Sequence, residues 1–126
     1  MATALGARYD ADYGPPVPPQ LLARADVIRT GTRHGIAVRV AKLPMAAVLR
    51  AQTISETRGF MKALVEPNGE RILGFTMIGA EAGEVMTVVQ TAMLAGMPYT
   101  GLRDAIIAHP TMAEALGALL SNVPAR

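Results

Sequence analysis

The sequence contains no cysteine and no tryptophan, and aromatic residues make up only 4% of it. Without cysteine the chain by itself can neither close a disulfide nor offer a redox-active thiol. Its two histidines, His34 and His109, lie far apart in sequence and do not form a metal-ligand cluster, so no metal site is expected. No apolar run approaches the ~20 residues of a membrane span. The opening stretch "MATALGARYDADYG" has too short an apolar segment for a signal peptide. Charge of either sign is scarce: 12 basic against 10 acidic residues give a net +2, scattered without a basic block. That distribution does not ask for nucleic acid. These absences predict a soluble, cytoplasmic chain with neither nucleic acid nor membrane as partner.

What is present is apolar. The 126 residues suggest one domain. Hydrophobic residues reach 51% without counting glycine, and charged residues only 17%. Typical domains reach ~45–50% with glycine included. A body this small has much surface relative to its volume. The apolar excess is therefore expected to form an exposed patch, and such patches mark partner interfaces. An oligomer is the expectation before any motif is read.

Residues 1–18 read as a separate arm, because "YGPPVPP" favours extended polyproline geometry. It is either an unfolded tail or an arm that crosses to a partner subunit. Residues 19–126 read as the domain. Residues 19–35 stay ambiguous between strand and helix, with Gly35 as a stop and His34 as a turn residue. In "IAVRVA", Ile36, Val38 and Val40 alternate with Ala37, Arg39 and Ala41, a period of two that predicts a strand ended by Pro44. Residues 45–57 read as an irregular connection with about one helical turn.

"GFMKALVEPNGERILGFTMIG" predicts a hairpin, with strands over 59–66 and 70–79 and Asn68-Gly69 in a type I′ turn. From Glu81 to Gly96 the pattern is helical. Val85, Val88, Val89, Ala92 and Met93 form one face, while Met86 and Leu94 lie off it. A helix apolar nearly all round is expected inside the domain or at a subunit contact. Gly96 reads as its stop, and its methionines as core filler. Thr100 is placed to cap a short helix, "GLRDAIIA", and a last helix, "MAEALGALLSNV", ends before Pro124. Strands followed by helices, without alternation, predict an α+β domain with a mainly antiparallel sheet and helices packed against it.

Thr111-Met112-Ala113-Glu114 fits a capping box, in which the Thr111 hydroxyl accepts from the Glu114 N–H and the Glu114 carboxylate reaches back to the Thr111 N–H. On that reading Glu114 is structural and His109 a loop residue. The same geometry lets one carboxylate oxygen hold an imidazole N–H of His109, fixing the tautomer and aiming the free nitrogen outwards. The pair would then be an oriented base that lacks a nucleophile of its own. Other polar residues read blandly: Arg103 and Asp104 as exposed charges, Ser55 and Thr57 as parts of a polar connection, Tyr99 as packing, Arg50 as an interface or solvent-facing charge.

"HPTMAEAL" resembles the C-terminal His-Pro-Thr-x-x-Glu segment of the FAD-dependent pyridine nucleotide-disulfide oxidoreductases, such as glutathione reductase, dihydrolipoamide dehydrogenase and mercuric reductase-like enzymes. "RGFMKALVEPNGERILGFTMIGAEAGEVM" resembles that family's hairpin and long helix, and the likeness covers roughly residues 36–122. The resemblance implies the family's C-terminal dimerisation domain. It implies a homodimer in which His109, oriented by Glu114, serves as acid or base in the partner subunit's active site. It also implies FAD and NAD(P)H for a full-length enzyme.

The departures bear equally on function. There is no G-x-G-x-x-G after a strand, hence no dinucleotide-binding fingerprint, and no cysteine pair. No cofactor is expected to bind this chain in the family manner, and alone it is expected to be inactive. It reads as a piece of a larger enzyme, with cofactor-binding domains on a missing segment or a separate chain, or as a free-standing dimerisation module. The alternative function is a non-catalytic homodimeric interaction module in which Thr111 and Glu114 only cap a helix.

Overall fold

The computed structural model describes residues 37–126, which form one compact unit, Ala37–Arg126. The arm over 1–18, the stretch 19–35 and His34 lie outside the described residues. Within them a three-stranded antiparallel sheet, β1 (Arg39–Pro44), β2 (Phe60–Val65) and β3 (Ile72–Ile78), has the strand order β1-β2-β3. A 3₁₀ turn (Met45–Ala47) and a short helix α1 (Leu49–Thr53) link β1 to β2. Three helices follow the sheet: α2 (Ala82–Leu94), α3 (Tyr99–Arg103) and α4 (Ala115–Ser121). This is the expected α+β order.

The first strand starts three residues later than "IAVRVA" suggests, and its buried phase is reversed. Arg39, Ala41 and Leu43 are buried, whereas Val40 is only partly covered and Lys42 is exposed. Register explains the reversal. Ala41 stands opposite Ala63, itself opposite Phe75, and Leu43 opposite Met61, itself opposite Met77. These rows form the face on which the core assembles with Val85, Val89, Leu102, Leu116 and Leu119. In this register the pleat sends Val38 and Val40 to the other face, because side chains alternate strictly. Pro44 closes the strand as expected.

The hairpin is present, but its turn is not type I′. Neither Asn68 nor Gly69 is among the residues with positive φ. The strands stop short of the turn, and residues 66–71 form a wider loop pinned by the Glu66 N–H donating to the Arg71 carbonyl (3.1 Å). A register irregularity at Leu64/Val65 accompanies it. Arg71 also bridges to Pro98.

Glycine is required at the start of β2. Gly59 has φ +108, and a Cβ there would collide with the Ile78 carbonyl oxygen. Its own carbonyl accepts from the Met45 N–H (3.0 Å), tying the 3₁₀ turn to the hairpin.

Helix α2 ends as its sequence suggests. Gly96 has φ +67, its N–H donates to the Met93 carbonyl (3.2 Å), and the Met97 N–H donates to the Ala92 carbonyl (2.9 Å). Together these bonds make a Schellman motif. The helix is not buried all round. Val85, Val89 and Ala92 face the core, Met86, Val88 and Met93 are half-covered, and Leu94 is 76% exposed. With Met97 and a fully exposed Ile106, it leaves large apolar side chains in solvent.

Helix α3 begins two residues earlier than a Thr100 cap would allow, with Pro98 at the cap position, and ends well before Ala108. The Tyr99 N–H donates to the Glu70 carbonyl (2.8 Å), so the hairpin loop fixes the helix start. The Thr100 hydroxyl donates to the Glu70 carboxylate (2.8 Å) and does not act as a cap. Helix α4 is likewise shorter than the expected 112–123. Its approach, Met112 to Gly117, is closed by i→i−3 bonds, the tighter 3₁₀ pattern.

Candidate functional site

The structure brings His109 and Glu114 together. His109 lies in the loop between α3 and α4, before a cis bond to Pro110, and Glu114 sits at the residue preceding α4. The His109 Nδ1 and Glu114 Oε2 atoms are 2.8 Å apart. The imidazole is 65% exposed and the carboxylate 22%. The contact spans five residues and depends on how the intervening turn is folded.

That turn is organised by one hydroxyl. Thr111 Oγ1 accepts from the Glu114 N–H (3.2 Å) and donates to the Ala108 carbonyl (2.6 Å). Half of the expected capping box therefore forms. The carboxylate half does not, because Glu114 is engaged by the imidazole in place of the Thr111 N–H. Met112, 1% exposed, anchors the turn in the core between these two polar contacts.

Beside the carboxylate lies a concavity of about 220 Å³, lined by Leu43, Ala47, Val48, Leu49, Ala115 and Ala118 with Glu114 as its one charged residue. Sequence reasoning missed it, because its walls come from β1, the 3₁₀ turn, α1 and α4, brought together only by folding. It is smaller than the ~300–1,000 Å³ typical of ligand pockets. The sequence holds no G-x-G-x-x-G motif and no cysteine.

Sequence reasoning also missed Arg39. Its guanidinium is nearly buried and donates to three backbone carbonyls: Glu66 (2.9 Å), Pro124 (3.0 Å) and Gly69. It lies 5.4 Å from the centroid of the Tyr99 ring, with Arg103 at 5.8 Å from the same ring. This cluster joins the hairpin loop to the C-terminal residues and holds the end of the sheet. None of its hydrogen-bond partners belongs to the His109–Glu114 turn, and the cluster reads as architecture. Arg103 also forms a two-point pair with Asp104 (2.6 and 2.8 Å). The hydrogen bond from Arg103 holds the Asp104 carboxyl below its ordinary pKa, and the same bond raises Arg103. Arg50 is half-buried, and Ser55 is exposed with φ 58. Among the described residues no three His, Asp or Glu side chains converge on a metal position, and no helix is long and apolar enough to cross a membrane.

Comparison with known proteins shows the family. Residues 30–120 match the model of the pyridine nucleotide-disulphide oxidoreductase dimerisation domain. The chain is 40% identical over 89 residues to the probable pyridine nucleotide-disulfide oxidoreductase RclA of Escherichia coli, covering 71% of this chain and 20% of that protein. It is 40% identical over 83 residues to a dihydrolipoamide dehydrogenase of Chaetomium thermophilum, covering 66% of this chain and 16% of that protein. Among solved structures, a Cu(II) complex of the HOCl-induced flavoprotein disulfide reductase RclA from Escherichia coli matches with a TM-score of 0.70 at 38% identity, over 74% of this chain and 21% of that one. The chain thus spans about a fifth of the length of these relatives. With 91 consecutive residues matched and the α+β architecture shared, the chain belongs to the pyridine nucleotide-disulphide oxidoreductase family, as its dimerisation domain.

Proposed function

We propose that this domain pairs with a second copy of itself and supplies His109, oriented by Glu114, as acid and base to an active site on the partner subunit. The observation that carries the reading is the 2.8 Å contact between His109 Nδ1 and Glu114 Oε2 with the ring left 65% exposed. A neutral imidazole that donates Nδ1–H to a carboxylate keeps its Nε2 lone pair for outside chemistry. That nitrogen takes a proton from a thiol and Glu114 stabilises the imidazolium; the thiolate attacks one sulfur of a disulfide, a new S–S bond forms as the old one breaks, and the imidazolium returns the proton to the displaced thiolate. The thiol must come from elsewhere, since this chain has no cysteine. FAD and NAD(P)H belong, on this reading, to the four fifths of the relatives' length that the chain does not span. The exposed apolar side chains Leu94, Met97 and Ile106 supply surface for a two-fold contact.

Two measurements test this. Sedimentation of the chain should give a dimer, and a monomer at high micromolar concentration contradicts the pairing. For the chemistry, this chain's residues 37–126 are exchanged for the matching segment of the Escherichia coli RclA protein. His109→Ala in that chimera should lower pyridine-nucleotide-dependent disulfide reduction by at least ~100-fold, the lower end for general acid–base groups, and leave flavin content unchanged. Equal turnover would support the non-catalytic alternative, in which Thr111 and Glu114 only start a helix.

A further inference from the structure

We infer that Thr111 is the positioning residue of the His109–Glu114 pair, acting through a hydroxyl that fixes both partners at once. This rests on the reading of the pair as an oriented base.

The argument starts from how little else holds the ring. The imidazole is 65% exposed, and its one hydrogen bond among the described residues is to Glu114. An exposed side chain of this kind samples several rotamers, and a single surface contact between flexible partners is weak because ordering both costs entropy. The contact persists only if the two backbones are already placed at the right separation. Thr111 Oγ1 does that placing. Its proton goes to the carbonyl of Ala108, the residue before His109, at 2.6 Å. Its lone pair receives the N–H of Glu114 itself at 3.2 Å. One oxygen, donating in one direction and accepting in the other, therefore links the peptide preceding the base to the backbone of its orienter.

The surroundings keep that oxygen in place. Thr111 is partly covered, the next residue, Met112, is 1% exposed, and Ala115 beyond Glu114 is 6% exposed. The turn is pinned to the core on both sides of Glu114. On the His109 side Ala108, His109 and Pro110 are all exposed, and the nearest anchor is the partly buried Ile107, packed against the core. The bond to Ala108 ties the peptide between that anchor and the histidine directly to the turn that carries Glu114. A helix cap needs only the acceptor half of the hydroxyl. The donor half, directed away from the helix, has no capping purpose.

The distinction gives a test with a readout that loss of a helix cap alone would not move. ¹⁵N spectra of the imidazole report which ring nitrogen carries the proton in the neutral form. They are recorded on the 126-residue chain, with a His34→Gln variant assigning the second histidine. In the unsubstituted protein Nδ1–H should dominate, because Nδ1 faces the carboxylate. Dominance of Nε2–H there would overturn the oriented-base reading itself, before Thr111 is touched. Given Nδ1–H dominance, Thr111→Val, which keeps the shape but removes the hydroxyl, should shift the ring to the Nε2–H form that a free imidazole prefers. Thr111→Ser should restore Nδ1–H. If Thr111→Val does not fold, Thr111→Ala against Thr111→Ser makes the same comparison. Retention of Nδ1–H in the folded variant without a hydroxyl reduces Thr111 to a helix cap and overturns the inference.

Discussion

Arg39 and His109 are both basic side chains held by oxygen atoms, yet they occupy opposite ends of the energetic range in this domain. Arg39 is nearly buried, and its partners lie 27, 30 and 85 residues away in sequence. His109 is exposed, and its partner lies five residues away. A buried cation must be satisfied or it unfolds its surroundings, so Arg39 belongs to the stability of the domain. An exposed pair contributes little to folding, so the role proposed for His109 and Glu114 would come at small structural cost. The long-range hub holds the sheet end, and the short-range pair sits on an exposed turn.

The largest effect is expected at the hub. Arg39→Ala removes three charge-assisted hydrogen bonds and should lower stability by on the order of 3 kcal/mol, measured by urea unfolding. Arg39→Lys keeps the charge but loses the planar fork that reaches three carbonyls. A loss of about half that size is expected, and an undiminished midpoint would show that charge alone suffices. At the turn, Thr111→Ala should cost about 1 kcal/mol as a lost cap, visible as a lowered Tm. His109→Ala should change stability by no more than about 0.5 kcal/mol, the same variant that lowers turnover in the chimera. A large loss of stability on removing His109 would erase the division of labour.

The smallest effect belongs to the exposed Arg103–Asp104 pair. Arg103 holds the Asp104 carboxyl below its ordinary pKa. A depressed carboxyl contributes stability that is present above its unfolded pKa and lost as pH falls through the folded value. The pair is exposed, so the contribution is slight. Its signature is spectroscopic: the Asp104 side-chain ¹³C titration midpoint should rise into the ordinary carboxylate range in Arg103→Gln. An unmoved midpoint would mean that the two-point contact is absent in solution.

The contrast also explains which features could be read in advance. His109 and Glu114 are close in sequence, so the spacing of the turn suggests their contact, although Glu114 stands before α4 and not at its third position. The end of α2 is equally local: Gly96 after an apolar run gives the Schellman stop. Thr100 misled because the oxygen that claims its hydroxyl belongs to Glu70, thirty residues earlier. Asn68-Gly69 misled for a related reason. Arg39 draws on the carbonyls of Glu66 and Gly69, and Arg71 turns to Pro98, so the loop is shaped by what docks on it. Alternation in "IAVRVA" identified a strand but pointed to the wrong face, since the pairing with β2 and β3 chooses which phase meets the helices.

By itself the sequence determined the α+β order, the hairpin, the long helix with its stop, and the closeness of a histidine to a glutamate across a capped turn. These depend on interactions within a few residues, where backbone geometry leaves few choices. Only the tertiary structure decided the buried phase of β1, the shape of the hairpin loop, the role of Arg39 and the concavity beside Glu114. Each of those is settled by groups distant in the chain competing for the same backbone oxygens and the same apolar surface, and no local pattern records which of them prevails.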